Sequence, residues 1–383
     1  MTQALVNGRI LRESGWTENQ VVLIEGDRIA RIVARDSQWS AERTYDLQGQ
    51  TLLPGFIDVQ VNGGGGVLFN DDPSVASIRE IGRAHRRFGT TGFLPTLISD
   101  DLEVVSRAVK ATQDAIEARV PGVLGIHIEG PFLNAERKGV HDASKLRWLK
   151  EDAIGLLTSL KGGKTLVTLA PERTTPQIIR KLRDAGVIVS AGHTNGTYDE
   201  IRTALDHGLT GFTHLFNAMS QLTGREPGAV GAALDDDGSW CGIIVDGHHV
   251  DPVVLKIAMR SKRKDRFMLV TDAMPTVGAP AKSFRLQGRP ISVNDNMLVD
   301  EHGRLAGSDI DMATAVRNAP AMLEVDLAQA ARMASLYPAT FLGLEGHFGR
   351  IEPGYRADLV LVDAGVRVLE TWIAGDAASS ATQ

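Results

Sequence analysis

Gly125-Ile126-His127-Ile128-Glu129-Gly130-Pro131 is a short apolar run that stops at a carboxylate and a Gly-Pro break. A run this short, bounded by turn residues, reads as a buried strand. The phrase recurs along the chain. Val187-Ile188-Val189-Ser190-Ala191-Gly192 ends in His193, Gly211-Phe212-Thr213 in His214, and Met268-Leu269-Val270-Thr271 in Asp272. Further buried strands are expected at 56–59, 92–96, 165–169 and 241–245, which completes a set of eight. Helical patterns lie between most of them, over 75–88, 101–119, 175–185, 198–207 and 252–262.

Eight strands alternating with helices predict an α/β fold, a (β/α)8 TIM-like barrel with its site at the C-terminal strand ends. An open doubly wound sheet is the competing architecture. No G-x-G-x-x-G follows a strand and opens a helix, and the Gly63–Gly66 run lacks that spacing, which counts against it. The first fifty residues carry short strands around Ala4-Leu5-Val6, 21–24 and 29–33, separated by Gly and Asp turns, the pattern of a small antiparallel sheet. Strand chemistry returns at 359–362. The expected organisation is a small β-sandwich domain from residues 1–54 and 347–383, and a catalytic barrel from 55–346. A hairpin insertion over 284–299, turning at Asn294-Asp295-Asn296, and helices near 311–323 and 328–337 complete the chain.

The length of 383 residues suits one large barrel with a small accessory domain. The net charge of −6 gives no basic surface for nucleic acid, and the one basic run, 260–266, reads as a solvated helix end. Cys241 is the single cysteine, so no disulfide within the chain and no Cys-rich zinc site can form. Its neighbours Gly242-Ile243-Ile244-Val245 mark an inert, buried strand start. MTQALVNGRI lacks the pattern of a signal peptide, and no apolar run approaches the ~20 residues that span a bilayer, so a cytoplasmic location is expected.

One polar residue at a strand end can be accidental, whereas four on different strands converge on one cleft. Two imidazoles and a carboxylate (His193, His214 and Glu129) suit one divalent metal with an open coordination position, and zinc fits this donor set. Such an ion lowers the pKa of a bound water to about 7. Asp272 is placed to take that water's proton and deliver it to the leaving nitrogen. His141 and His249 follow strands, where each reads equally as a substrate contact or a solvated loop residue. His127 sits mid-strand, inside the barrel, as candidate support for the ligands. His85, His207, His302 and His347 read as surface residues, and His248 as the lesser of its pair. Arg225 in Thr223-Gly224-Arg225-Glu226-Pro227-Gly228 suits either bidentate contact with phosphate or carboxylate, or an ion pair with Glu226 or a neighbour. Backbone N–H groups of Asn217-Ala218-Met219 follow His214 closely enough to face the same cleft.

Several stretches together resemble the N-acetylglucosamine-6-phosphate deacetylase family of the amidohydrolase superfamily. They include Pro54-Gly55-Phe56-Ile57-Asp58, His127-Ile128-Glu129-Gly130-Pro131-Phe132, Lys138-Gly139-Val140-His141 and Ser190-Ala191-Gly192-His193-Thr194. They continue through Thr213-His214-Leu215-Phe216-Asn217-Ala218-Met219, Gly224-Arg225-Glu226-Pro227-Gly228, Asp246-Gly247-His248-His249-Val250 and Val270-Thr271-Asp272-Ala273. The resemblance implies hydrolysis of the acetamide of N-acetylglucosamine 6-phosphate to glucosamine 6-phosphate and acetate. It implies Glu129, His193 and His214 as metal ligands and Asp272 as general acid/base. Substrate contacts would come from His141, Asn217, Ala218, Arg225, His249 and the segment Leu305-Ala306-Gly307. It also implies a homodimer with the site near the subunit interface. Many amidohydrolases carry His-x-His after the first barrel strand for a second metal. Here Gln60-Val61-Asn62 stands there, and amides are poor zinc ligands, so a vestigial second position and a single ion are expected.

Two other readings compete. A related amidohydrolase acting on a cyclic amide or an acylated amino acid would usually keep His-x-His and a bridging lysine, and both are missing here. An inactive barrel used for binding is disfavoured by the presence of Asp272 together with all three candidate ligands.

Overall fold

A computed structural model describes residues 2–295 and 297–379. Eight parallel strands run in chain order, each paired to the next: Phe56–Val61, Thr90–Ile98, Gly125–Glu129, Lys164–Leu169, Ile188–Ala191, Leu209–Phe212, Trp240–Ile243 and Phe267–Leu269. All eight expected strands are present, and they form the barrel. The last meets the first through a parallel bridge between Val61 and Ala273. The N–H groups of Asn62 and Gly63 both donate to the Ala273 carbonyl, at 2.9 and 3.0 Å. Below that seam the buried carboxylate of Asp58 accepts from Thr271, through both its backbone N–H and its hydroxyl.

The predicted helices appear at Val75–Arg86, Leu102–Glu117, Pro176–Asp184, Tyr198–Asp206 and Pro252–Ser261. Their starts are chemically marked. The Ser74 hydroxyl accepts from Ser77 N, Pro176 occupies the first turn, and Thr197 forms a capping box with Glu200. In Pro176–Asp184 the residues Ile178, Ile179 and Leu182 are buried against the barrel, as a 3.6-residue period requires. The expected helix over 328–337 is divided into Leu327–Met333 and Leu336–Phe341.

The small sheets are mixed rather than purely antiparallel. Thr2–Val6 pairs in parallel with Arg43–Asp46, and Arg9–Arg12 in parallel with Thr51–Pro54. Short apolar strands fix which face is buried, not which neighbour they take, so the antiparallel expectation holds for only some of the pairs. One sheet has four strands. The other has six and combines Thr51–Pro54 with the late strands Leu359–Val362 and Val368–Ile373. Both contribute to one apolar cluster that includes Leu5, Val22, Ile24, Leu52, Leu359 and Trp372.

The insertion is a three-stranded antiparallel sheet, Ser283–Leu286, Arg289–Asn294 and Met297–Asp300, one strand more than a hairpin. Asn296, part of the predicted turn, lies outside the described residues. The sheet's apolar side, with Leu286, Ile291 and Leu298, packs on Ile98, Val140 and Met274 beside the barrel mouth. Among the described residues, no helix is long and apolar enough to cross a membrane. Cys241 is buried in its strand, and burial pushes its thiol up to about 12, which agrees with an inert role. His85 departs from expectation: it is fully buried, with Nε2 at 2.9 Å from the Gly63 carbonyl. The helix that carries it turns this face onto the loop after the first strand, which spacing alone did not reveal.

Candidate active site

One barrel strand ends at Glu129, and three others end two or three residues before His193, His214 and Asp272. His193, His214 and Asp272 have φ of 48°, 35° and 52°. Residues other than glycine rarely adopt such values, and those that do cluster at functional sites. The left-handed turn swings each side chain off its strand and over the barrel mouth.

Glu129, His193 and His214 meet there, all buried, with one ligand atom from each lying within 4.8 Å of the others. Glu129 Oε1 is 3.1 Å from His193 Nε2 and 2.9 Å from His214 Nε2, and the two Nε2 atoms are 3.1 Å apart. His193 Nδ1 donates to the Arg137 carbonyl at 2.8 Å, which leaves its Nε2 lone pair facing the cluster. Two imidazole nitrogens and a carboxylate oxygen turned toward one point fit a divalent ion. Burial works against charge on Glu129, but the close contacts with the His193 and His214 rings outweigh it and hold the carboxyl well below its usual range. Burial likewise opposes charge on His214, and its hydrogen bond with Glu129 raises it overall.

Asp272 lies beside this cluster. Its Oδ1 accepts from Gln60 Nε2 at 3.0 Å and from Asn62 Nδ2 at 2.6 Å. Burial, reinforced by the charge of Glu129, pushes Asp272 up to about 6. That value suits a group that must both take and return a proton near neutrality.

His141 Nδ1 faces the Ser99 hydroxyl at 2.7 Å and accepts from the Ser99 backbone N–H at 3.2 Å. A backbone N–H can only donate, so Nδ1 is unprotonated and Nε2 carries the hydrogen. Burial, helped by the neighbouring His193, pushes the imidazole well down and keeps it neutral. His249 Nδ1 lies 2.6 Å from Asp246 Oδ2. Burial alone would raise Asp246, but His249 and the backbone N–H groups of 248 and 249 bring it to about 2. Neither Ser99 nor Asp246 was singled out from sequence. Asp246 stands three residues before His249, a turn spacing that could have marked it, whereas Ser99 carried no signal.

These groups surround a cavity of about 420 Å³ lined by Glu129, His141, His193, His214, Asn217, Ala218, His249, Asp272, Leu305 and Gly307. Glu136, Arg137 and Arg304 also line it and were not foreseen. Ala306 is buried behind the wall. The Asn217 N–H is used within its own turn, bonded to the His214 carbonyl, whereas that of Ala218 is unbonded among the described residues. Arg225 is exposed and does not reach the cavity. Its neighbour Glu226 accepts instead from the N–H groups of Tyr198 and Gly228, so the ion pair with Glu226 is not formed. His127 reaches Thr96 and Thr168 rather than the three clustered residues, and burial pushes it down to about 4. A larger cleft, about 1060 Å³, opens by Arg119 and Lys164, and none of the strand-end residues lines it.

A barrel with this mouth defines a class, and the family pattern agrees: residues 51–378 match the amidohydrolase family, and the chain belongs to it. Over 377 residues the chain is 42% identical to an N-acetylgalactosamine-6-phosphate deacetylase of Shewanella sp. (strain ANA-3), covering 98% of this chain and 95% of that one. It is 36% identical to an N-acetylglucosamine-6-phosphate deacetylase of Haemophilus influenzae, covering 98% and 99%. The crystal structure of N-acetylglucosamine-6-phosphate deacetylase from Pasteurella multocida superposes with a TM-score of 0.95 at 36% identity, over 98% and 99% of the two chains.

Proposed function

We propose that this chain hydrolyses the acetamide of an N-acetylated amino-sugar 6-phosphate, releasing acetate and the free amino-sugar phosphate. The observation that carries the proposal is the convergence of Glu129, His193, His214, Asp272 and His141 on one cavity, in a chain matched end to end by deacetylases of this kind. N-acetylglucosamine 6-phosphate is the substrate that the sequence motifs favour. N-acetylgalactosamine 6-phosphate, its C4 epimer, is the second reading, favoured by the 42% identical relative.

Glu129, His193 and His214 would hold one divalent ion, with zinc the best match to the donors. When bound, the ion supplies Lewis acidity to the attacking water and to the acetamide carbonyl. Asp272 takes the proton of the water that attacks the carbonyl carbon and passes it to the departing nitrogen. His141 Nε2–H points a neutral donor at the oxygen where charge develops. His249, the open Ala218 N–H and the turn at Asn217 hold the sugar phosphate, with Leu305 and Gly307 as the opposite wall. Arg225 carries a fork of donors suited to phosphate. Its exposure, three residues after the exposed Leu222, supports a homodimer in which it serves a neighbouring subunit's cavity. Residues 1–54 and 347–383 would form the accessory β-domain, and 55–346 the catalytic one. A phosphorylated sugar does not cross membranes unaided, so the cytoplasm is the proposed location.

Acetate release from the two epimeric 6-phosphates, measured on zinc-loaded protein, tests both readings. Turnover of neither ends the proposal, and the ratio of their kcat/KM values decides between them.

A further inference from the structure

Gln60 and Asn62 stand where a second metal's histidines would be, and the amide nitrogens of both reach Asp272. Gln60 is 1% exposed and Asn62 0%. Gln60 Nε2 spans two carboxylates, 3.0 Å from Asp272 Oδ1 and 3.3 Å from Glu129 Oε2. Asn62 Nδ2 reaches the same Asp272 oxygen at 2.6 Å. The other end of the Asn62 amide, Oδ1, is buried with no partner. Rotating the amide would set oxygen against carboxylate oxygen, so an unpaired acceptor is tolerated where a donor to Asp272 is kept. The backbone is fixed too, because Asn62 and Gly63 both donate to the carbonyl of Ala273, the residue after Asp272. Among the described residues, Asp272 Oδ2 accepts no hydrogen bond, and Asp272 lines the cavity.

We propose that Gln60 and Asn62 are positioning residues, whose amide N–H groups clamp Oδ1 of Asp272 and so aim Oδ2 at the attacking water. Gln60 also sets the separation of the base from Glu129. Two neutral donors thereby do the placing that a second cation would otherwise do between the carboxylates. The inference rests on the reading of Asp272 as the base.

Gln60→Met and Asn62→Leu keep approximate shape and remove the donors. In each, kcat should fall up to about 100-fold with KM nearly unchanged, the scale of a misplaced catalytic group. In an Asp272→Asn background the same substitutions should cost nothing further, since the clamp then holds no base. Zinc affinity, read by chelator competition, should weaken about tenfold for Gln60→Met, which loses its contact with Glu129, and hold for Asn62→Leu. Equal losses of kcat with and without Asp272, a loss carried entirely by KM, or loss of zinc from Asn62→Leu would overturn the proposal. A wild-type protein that releases no acetate would instead strike at the proposed function, while the zinc affinities would still report on the Gln60 contact.

Discussion

Asp58 offers a direct test of how the barrel is closed. Its carboxylate has no exposed surface. Oδ1 accepts from Gln60 N at 3.1 Å and Thr271 N at 3.3 Å, while Oδ2 takes the Thr271 hydroxyl. Asp58→Leu leaves two backbone N–H groups buried without an acceptor. At roughly 1–3 kcal/mol each, the loss is roughly 2–6 kcal/mol, a large share of the ~5–15 kcal/mol that holds a typical domain. Asp58→Asn keeps the Oδ1 acceptor and sets Nδ2 against the Thr271 oxygen, so it should cost little. The two differ again with pH. Burial pushes the Asp58 carboxyl up to about 7, against the lowering by Thr271 and Gln60. A carboxyl raised on folding contributes stability that is complete below its unfolded pKa of about 4 and lost as pH rises through the folded value. A rise from about 4 to about 7 corresponds to about 4 kcal/mol at most. The asparagine does not titrate, so Asp58→Asn should gain on wild type by up to that amount between about pH 4.5 and about pH 8. Urea unfolding followed by circular dichroism, with chelator present throughout, reads both effects. A wild-type-minus-Asn difference that stays flat with pH refutes the account of the buried carboxyl. A leucine variant as stable as wild type refutes the closing role.

Three other outcomes are expected. Asp272→Asn should retain one zinc per chain by elemental analysis yet lose roughly two to four orders of magnitude in turnover, the scale of a positioned acid/base. Arg225→Ala should raise KM for the 6-phosphate and leave the unphosphorylated sugar unaffected; an equal effect on both would remove its phosphate role. Gly125→Ala would put a Cβ 1.9 Å from the Lys164 carbonyl oxygen, and the urea midpoint should report a loss of roughly 3 kcal/mol, the upper end of overpacking costs.

The barrel was legible because a closed parallel sheet buries each strand on both faces, which writes continuous apolar runs into the chain. The polar residues that break those runs, Glu129, His193, His214 and Asp272, stood out by contrast and do lie together. What was hidden depends on contacts between distant segments. Asp58 looks like a polar interruption until Thr271 is seen above it. Ser99 gains meaning only beside His141, and His85 looks exposed until the loop at Gly63 covers it. Strand partners in the small sheets were equally hidden, because alternation specifies a face and not a neighbour.

Thr51–Pro54 lies between Arg9–Arg12, which precedes it, and Leu359–Val362, which follows it by some three hundred residues. During synthesis one edge of that early strand stays open while the whole barrel emerges from the ribosome. Unpaired strand edges invite mispairing between chains. The sheet therefore depends on its last partner arriving before a second nascent chain supplies a substitute. Slower elongation late in the message, or truncation before residue 359, should show up as aggregated product even though every barrel strand is intact.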